Sequence, residues 1–403
     1  MTRPTRAPAL APTLALTLAL TVLGGPAHAV PLADGGVNLP VIPSVLAAGA
    51  PCTAGSSSPA RAAPWEQRSL GLARVWRTSG GSTGGAGVTV AVVDTGVSAQ
   101  APALAGRVTA VGAALGDCVG HGTFVAGLIA AAPSKQVRFA GVAGAARVLA
   151  VRGTDARGAA TAASLASAIR SAAQAGAEVI VVSPAVAHGS ADLTAAVAYA
   201  AERDALVIAA AAPDPTGPVT ASPPPPRDYW PAADPGVLSV LDLDTKGSRP
   251  AHAPSPLRAD LAAPGDGVVG IGPSGKGHYI GSGASLAAAY VAGTAALVRA
   301  AHPALTAAQT AAWLTRTAYP SDVPRLDPYA AVTAVRDEET ATSGGDAAES
   351  AVQLDTHASA TTAGHRALAV AAAGVATAAG VAWVGAVLRL RRRRTTTGDS
   401  GAG

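Results

Sequence analysis

Residues 88–96 read VTVAVVDTG, a continuous apolar run that ends near an acidic residue. Two further runs, AEVIVVS at 177–183 and ALVIAAA at 205–211, have the same unbroken character. A half-exposed strand alternates apolar and polar residues, whereas an unbroken run indicates a strand that is buried on both faces. Alanine-rich stretches with helical character occupy 158–176 and 191–204, between these runs. The succession of strand and helix predicts an α/β fold with a parallel sheet and helices on both faces.

The two ends of the chain have the composition of export and anchoring segments. Residues 1–29 combine Arg3 and Arg6 with an apolar stretch and the small-residue sequence PAHA, which predicts a cleaved signal peptide; an uncleaved anchor is the alternative. Residues 367–388 carry no charge, precede a run of arginines, and are long enough as a helix to cross a hydrocarbon core of about 30 Å. Because basic residues stay in the cytoplasm, we expect a single-pass cell-membrane protein with an extracytoplasmic body and a cytoplasmic tail at 389–403. A soluble alanine-rich helix is the alternative.

Composition divides the rest of the chain into three parts. Residues 30–62 are rich in Pro, Gly, Ser and Ala and form a predicted N-terminal extension. The strand and helix patterns fill residues 63–335, which we take as the folded domain. Within it, the proline-rich stretch 220–236 is a predicted surface loop. Residues 336–366 have the composition of a flexible linker to the membrane segment.

Charge and cysteine content restrict the classes of partner and ligand. The net charge is only +4, and arginines 391–394 form one block at the C-terminus, so we expect no nucleic-acid partner. The sequence contains no metal-ligand cluster and no cofactor motif, and we therefore expect neither a metal nor a cofactor. Cys52 and Cys118 are the only cysteines. In an exported chain one disulfide is the economical interpretation, and two unrelated buried thiols are the alternative.

Three residues at the ends of the predicted elements have the types that serine-based nucleophilic catalysis requires. Asp94 ends the first apolar run, His121 opens HGTFVAGLIAAA, and Ser285 lies at the start of the helical stretch GASLAAAYVAG. Each also has a structural interpretation, as an acid in a turn, a capping histidine and a helix N-cap. Ser282 is the alternative nucleophile, but it lies outside the helix start. The backbone N–H of Ser285, near a helix N-terminus, is the expected oxyanion donor.

The order Asp94, His121, Ser285 with the flanks VVDTGV, GHGTFVAG and GASLAAAYVAGTAAL resembles the subtilisin-like serine proteases. The α/β-hydrolases use a different order and a Gly-x-Ser-x-Gly motif, whose last position is Ala287 here. The resemblance implies a subtilisin-like fold and a serine endopeptidase that acts on polypeptide substrates.

A narrower resemblance is carried by GDCVGHGT, by the cysteine in the N-terminal extension, and by the two terminal segments. These features are similar to the mycosins, which are membrane-anchored subtilisin-like proteases associated with type VII secretion. The resemblance implies that the extension wraps the protease domain and that Cys52 pairs with Cys118. It also implies the cell membrane and a type VII secretion membrane complex as partners.

The sequence departs from the subtilisin-like family at two functional places. Such enzymes carry an asparagine as second oxyanion donor, and Pro213, which has no N–H, occupies that position in ALVIAAAAPDPTG. The next residue, Asp214, is an acceptor when ionised and a donor only when protonated. The family's Ser-Leu-Gly wall of the specificity pocket is replaced by Ser183, Pro184 and Ala185, which are the candidate substrate-binding residues.

Three hypotheses follow from these residues. The first is an active endopeptidase that is slow because the oxyanion asparagine is absent. The second is a catalytically degenerate protease fold that acts as a structural subunit of the secretion machinery. The third is a non-peptidase hydrolase that uses the same three residues.

Overall fold

The chain divides into two compact units, one up to Val335 and one from Arg336 onward. The predicted signal peptide (1–29) and linker (336–366) lie outside the described residues. The computed structural model describes residues 38–80, 84–133, 139–216, 225–251, 253–335 and 376–389.

Strands and helices alternate along most of the first unit, as the sequence pattern predicts. The strands are β1 (Thr89–Asp94), β2 (Val108–Ala110), β3 (Arg147–Arg152), β4 (Val179–Val182), β5 (Leu206–Ala210), β6 (Leu238–Leu243), β7 (Leu261–Pro264), β8 (Val268–Ile271) and β9 (His278–Gly281). The helices are α1 (Trp65–Ser69), α2 (Leu72–Thr78), α3 (His121–Ala130), α4 (Ala162–Gln174), α5 (Ala191–Glu202), α6 (Ala284–Ala301), α7 (Ala307–Arg316) and α8 (Pro328–Thr333).

A seven-stranded parallel sheet forms the centre of this unit, in the order β2-β3-β1-β4-β5-β6-β7. Strands β8 and β9 form a separate antiparallel pair. Because parallel neighbours run in one direction, the carboxyl ends of β1, β4 and β5 meet at the same edge of the sheet. The predicted parallel α/β fold is confirmed.

Strand β1 shows why its sequence is an unbroken apolar run. Val90 and Val92 pack into the hydrophobic cluster that contains α3 and α6, whereas Ala91 and Val93 pack into the cluster with α4 and α5. All four side chains are fully buried. Both faces of the strand are therefore covered by helices, and only Thr89, at its start, is partly exposed.

Helix α6 is buried on all sides rather than along one stripe. The alanine-rich sequence after Gly283 predicts a helix here, and the structure buries every residue from Ala284 to Arg299. Alanine and glycine fill half of these positions, and at Gly293 an added Cβ would lie 2.7 Å from the Cβ of Val142. Small side chains thus let α6 lie close to both the sheet and its neighbouring helices.

The described part of the N-terminal extension, residues 38–62, runs alongside β9. Ile42 N–H donates to the Ile280 carbonyl at 2.9 Å, and Ile280 N–H donates to the Pro40 carbonyl at 2.9 Å. Cys52 and Cys118 form a disulfide with Cα atoms 4.6 Å apart, so the predicted pairing is confirmed. The disulfide and the backbone hydrogen bonds fix the extension to the folded domain.

Helix α9 (Ala376–Arg389) is described in the second unit. It covers only part of the predicted membrane span at 367–388, which stays a prediction. Among the described residues, one helix, α6, is long and apolar enough to cross a membrane, but it is mostly buried inside the first unit. It is therefore a core helix of the folded domain.

The disulfide predicts a measurable loss of stability on its removal. It joins residues separated by 66 positions. Closing a loop of that length lowers the entropy of the unfolded chain and thereby adds about 4 kcal/mol to the free energy of unfolding. We expect the double variant Cys52→Ser, Cys118→Ser to lose about that much free energy of unfolding in a denaturant titration. The wild type under reducing conditions should behave like the variant; equal midpoints for the oxidised wild type and the variant would contradict the prediction.

Candidate active site

Asp94 is the last residue of β1 and is only 1% exposed at the carboxyl edge of the sheet. Its carboxylate accepts the N–H of Thr95 at 2.6 Å and lies 2.8 Å and 3.1 Å from Nδ1 of His121. Burial alone would raise the pKa of Asp94, but the charge and hydrogen bond of His121 outweigh it, so that the pKa is lowered. The ionised carboxylate accepts only, and His121 therefore carries a proton on Nδ1.

His121 is the first residue of α3, and a close backbone approach brings it to Asp94. The next residue, Gly122, lies against the turn that follows β1. A Cβ at Gly122 would lie 2.0 Å from the carbonyl oxygen of Gly96 and 3.0 Å from the Cβ of Asp94. Glycine is required here because any side chain would push the first turn of α3 away from the strand end.

Asp117 positions the start of α3 and was not identified in the sequence analysis. Its carboxylate accepts the N–H of Thr123 at 2.8 Å, the N–H of Gly120 at 2.7 Å and the hydroxyl of Thr95 at 2.7 Å. Thr95 in turn accepts the N–H of Gly122 at 3.0 Å. Asp117 thus caps α3 and ties it to the turn after β1. An acid just ahead of a helix start was the available signal.

Ser285 is the second residue of α6 and completes a series of contacts. Its Oγ lies 3.2 Å from Nε2 of His121, so the side chains of Asp94, His121 and Ser285 touch in order. The alternative nucleophile, Ser282, instead accepts a hydrogen bond from the N–H of Gly267 at 3.0 Å. The three residues come from the ends of β1, α3 and α6, as the sequence analysis expects.

The carboxyl group of Asp214, the residue after Pro213, lies directly beside Ser285. Oδ1 of Asp214 accepts the N–H of Ser285 at 3.1 Å, and Oδ2 accepts its hydroxyl at 2.5 Å. Oδ2 also lies 3.1 Å from Nε2 of His121. Pro213 and Asp214 both line the cavity at this place, and the carboxyl group of Asp214 supplies the polar contacts. Ser285 is fully buried beneath this carboxyl group.

Two carboxyl groups therefore flank one imidazole. Burial alone would lower the pKa of His121, but the charge of Asp94 and the hydrogen bond of Asp214 raise that pKa well above its ordinary value. With the imidazole protonated, Nδ1–H donates to Asp94 and Nε2–H donates to Asp214. In this state the hydroxyl of Ser285 donates to Asp214 rather than to His121.

The predicted substrate-binding residues lie at the same sheet edge. Ser183 N–H donates to the Val93 carbonyl at 3.2 Å, which extends the β1–β4 pairing past the end of β4. Ser183, Pro184 and Ala185 line a cavity of about 260 Å³. Its wall also includes Asp94, His121, Pro213, Asp214 and, from the N-terminal extension, Ser44 and Val45.

The arrangement provides an acid, a base and a hydroxyl in the order that acyl transfer by serine requires. A neutral His121 can take the proton of Ser285 while Asp94 holds the ring in position. Among the residues that the structure describes, no cluster of His, Cys, Asp or Glu could hold a metal ion.

Comparison with known proteins gives a consistent result. Residues 85–353 match the model of the subtilase family. Mycosin-4 of Mycobacterium tuberculosis is 35% identical over 311 residues, which are 66% of this chain and 68% of that protein. Thermitase of Thermoactinomyces vulgaris is 34% identical over 53% of this chain and 75% of its own length.

Solved structures of mycosins have the same fold. The crystal structure of MycP1 from Mycobacterium smegmatis is 30% identical with a TM-score of 0.60, covering 70% of this chain and 88% of that one. The MycP3 protease of the type VII (ESX-3) secretion system is 31% identical with a TM-score of 0.60, and the match covers 74% of this chain and 98% of that one.

The raised pKa of His121 predicts how its ion pairs contribute to stability at different pH. Their contribution is fully present below the unfolded-state pKa of about 6.5 and is lost as pH rises through the higher folded-state pKa. The difference in unfolding free energy between wild type and His121→Gln should therefore shrink with rising pH in urea titrations. A Ser282→Ala control should follow the wild type; a difference that does not change with pH would refute the prediction.

Proposed function

Since the chain belongs to the subtilase family of serine endopeptidases, in its mycosin branch, we propose that it is an extracytoplasmic peptidase anchored in the cell membrane by one helix. Its catalytic residues are Asp94, His121 and Ser285. Residues 1–29 export the chain, 63–335 form the peptidase domain, and 367–388 hold it in the membrane.

The series of contacts from Asp94 through His121 to Ser285 is the observation that supports this reaction. His121 Nε2, 3.2 Å from Oγ, takes the hydroxyl proton as Oγ attacks the carbonyl carbon of a peptide bond. Asp94 keeps the imidazole in the required tautomer and orientation through the Nδ1 hydrogen bond of 2.8 Å. The backbone N–H of Ser285 stabilises the oxygen that becomes negative.

Polypeptide is the substrate class that fits the site. The segment Ser183–Ala185 follows the end of β4 and lines the cavity beside His121. An extended peptide would lie along this segment and pair with its backbone carbonyls. Pro184 has no N–H, so the segment offers one backbone donor fewer than a segment without proline.

Association with a type VII secretion membrane complex is the second part of the proposal. Related structures are of MycP1, an essential component of the type VII (ESX-1) secretion system, and of MycP3 from ESX-3. The predicted export signal and membrane helix would place this chain's domain on the outer side of the membrane. There it could act on exported polypeptides or on the complex itself.

One observation favours a second candidate, a degenerate protease fold that serves as a structural subunit. Asp214 covers Ser285 and accepts a hydrogen bond from its hydroxyl at 2.5 Å, an arrangement that directs the hydroxyl proton away from His121. Losing one oxyanion donor, as Pro213 in place of asparagine implies, costs about 100-fold to 1000-fold in rate.

A fluorophosphonate probe distinguishes the two candidates because it reacts only with an activated serine. We expect the full-length wild type to be labelled and Ser285→Ala not to be labelled. Ser282→Ala is the matched control and should be labelled like the wild type. Equal, negligible labelling of all three proteins would favour the structural subunit.

Membrane anchoring is tested by truncation. Without residues 367–403 the domain loses the apolar segment and the arginines that follow it, so we expect it in the soluble fraction after export. The full-length chain should stay with membranes during alkaline carbonate extraction. A truncated protein that stays in the membrane fraction equally well would contradict the anchor.

A further inference from the structure

The carboxyl group of Asp214 lies where the oxyanion of an acyl-transfer reaction is expected. The backbone N–H of Ser285, at the start of α6, is the donor that such a reaction uses. In the structure this N–H is donated to Oδ1 of Asp214 at 3.1 Å, while Oδ2 lies 2.5 Å from Oγ of Ser285. A side chain that binds both the nucleophile and its oxyanion donor is part of the reacting site.

The fold leaves room for this carboxyl group. Gly283, immediately before α6, would place an added Cβ 1.9 Å from Oδ1 and 2.2 Å from Cγ of Asp214. No side chain at position 283 is compatible with the observed position of Asp214. The contact is therefore built into the turn that precedes the nucleophile.

Few ionisable groups face Asp214. Nε2 of His121, on α3, lies 3.1 Å from Oδ2 of Asp214, and Asp94 is hydrogen-bonded to Nδ1 of the same imidazole. Asp242, on β6, contributes a carboxyl charge at longer range, and Arg249 pairs with Asp242 at 2.5 Å. Within the described part of the chain, His121 is thus the ionisable side chain that shares hydrogen bonds with Asp214.

We propose that Asp214 is a catalytic residue whose protonated carboxyl group supplies the second donor to the oxyanion, whereas its ionised form closes the site. This inference rests on the proposed peptidase function. In place of asparagine, the chain uses a carboxylic acid that can donate only while it holds a proton.

The step requires a neutral His121 together with a protonated Asp214. Nε2 takes the proton of Oγ as the bond from Oγ to the carbonyl carbon forms. The substrate first displaces the Asp214 carboxyl group from the N–H of Ser285, which frees the oxyanion position. The electron pair of the carbonyl double bond then moves to its oxygen, which accepts hydrogen bonds from Ser285 N–H and from the displaced Asp214 hydroxyl beside it. Asp214 keeps its proton throughout, so the hydrogen bond is its whole contribution.

The closed form holds the same single proton on His121 instead of on Asp214. With the proton on His121, the pair is an imidazolium and a carboxylate, and the carboxylate occupies the oxyanion position. If the pair holds a second proton, His121 is protonated and no base is available. If the pair holds no proton, the Asp214 carboxylate places a negative charge beside the oxyanion. The reaction is therefore restricted to a pH window that belongs to the His121–Asp214 pair.

Three proteins test the proposal: the wild type, Asp214→Asn and Asp214→Ala, each as the full-length chain in mild detergent. The measurement is the rate constant of labelling by a fluorophosphonate across pH. We expect a bell-shaped profile for the wild type, because both protonation states matter. Asp214→Asn should instead rise to a plateau and exceed the wild type at high pH by about 100-fold to 1000-fold. Asp214→Ala should also reach a plateau, but about 100-fold lower, because it has no donor.

Several outcomes would overturn the proposal. Equal plateaus for Asp214→Asn and Asp214→Ala would show that no donor is used at this position. A wild-type profile that simply rises like that of Asp214→Asn would show that the proton on Asp214 is irrelevant. If no variant is labelled at any pH although circular dichroism shows them folded, the proposed peptidase function itself fails. Ser285→Ala in each background serves as the control for site-specific labelling.

Discussion

A buried carboxylate at the end of the central strand is the constraint on which the site depends. Asp94 is almost completely buried, and an ionised group in such a place is costly unless donors satisfy it. His121 and the backbone of Thr95 supply those donors. The first turn of α3 must therefore approach β1 closely, which Gly122 permits and Asp117 stabilises. The position of the base thus follows from the need to satisfy the acid.

Placing a second carboxyl group on the other side of the imidazole creates a conflict. A serine protease needs a base that can lose its proton, yet Asp94 and Asp214 together stabilise the protonated ring. The N-terminal end of α6 favours negative charge as well, and it holds Asp214 through the N–H of Ser285. The polar groups of the site are therefore paired without substrate, and any substrate must displace the Asp214 carboxyl group from Ser285.

Sequence patterns predicted the fold and singled out Asp94, His121 and Ser285, whose side chains the structure brings into contact, because both depend on local features. An unbroken apolar run marks a doubly covered strand, and residues at element ends are easily recognised. The position of the Asp214 carboxyl group against Ser285 could not be predicted in this way, since it depends on where the loop after β5 places a side chain in space. Counting positions along the chain assigned the place to Pro213. Asp117 was missed for a similar reason, because its four hydrogen bonds join segments that only the folded chain brings together.

The N-terminal extension has a consequence beyond its role in the fold. Its backbone pairs with β9 near Ile280 and again near Gly277, where Ser56 accepts an N–H at 2.8 Å. A strand edge with unpaired N–H and C=O groups is a template for intermolecular pairing. Proteolytic loss of residues 38–60 would uncover that edge. The N–H and C=O groups of Ile280 would then be open to pairing with another chain, so loss of the extension would favour self-association.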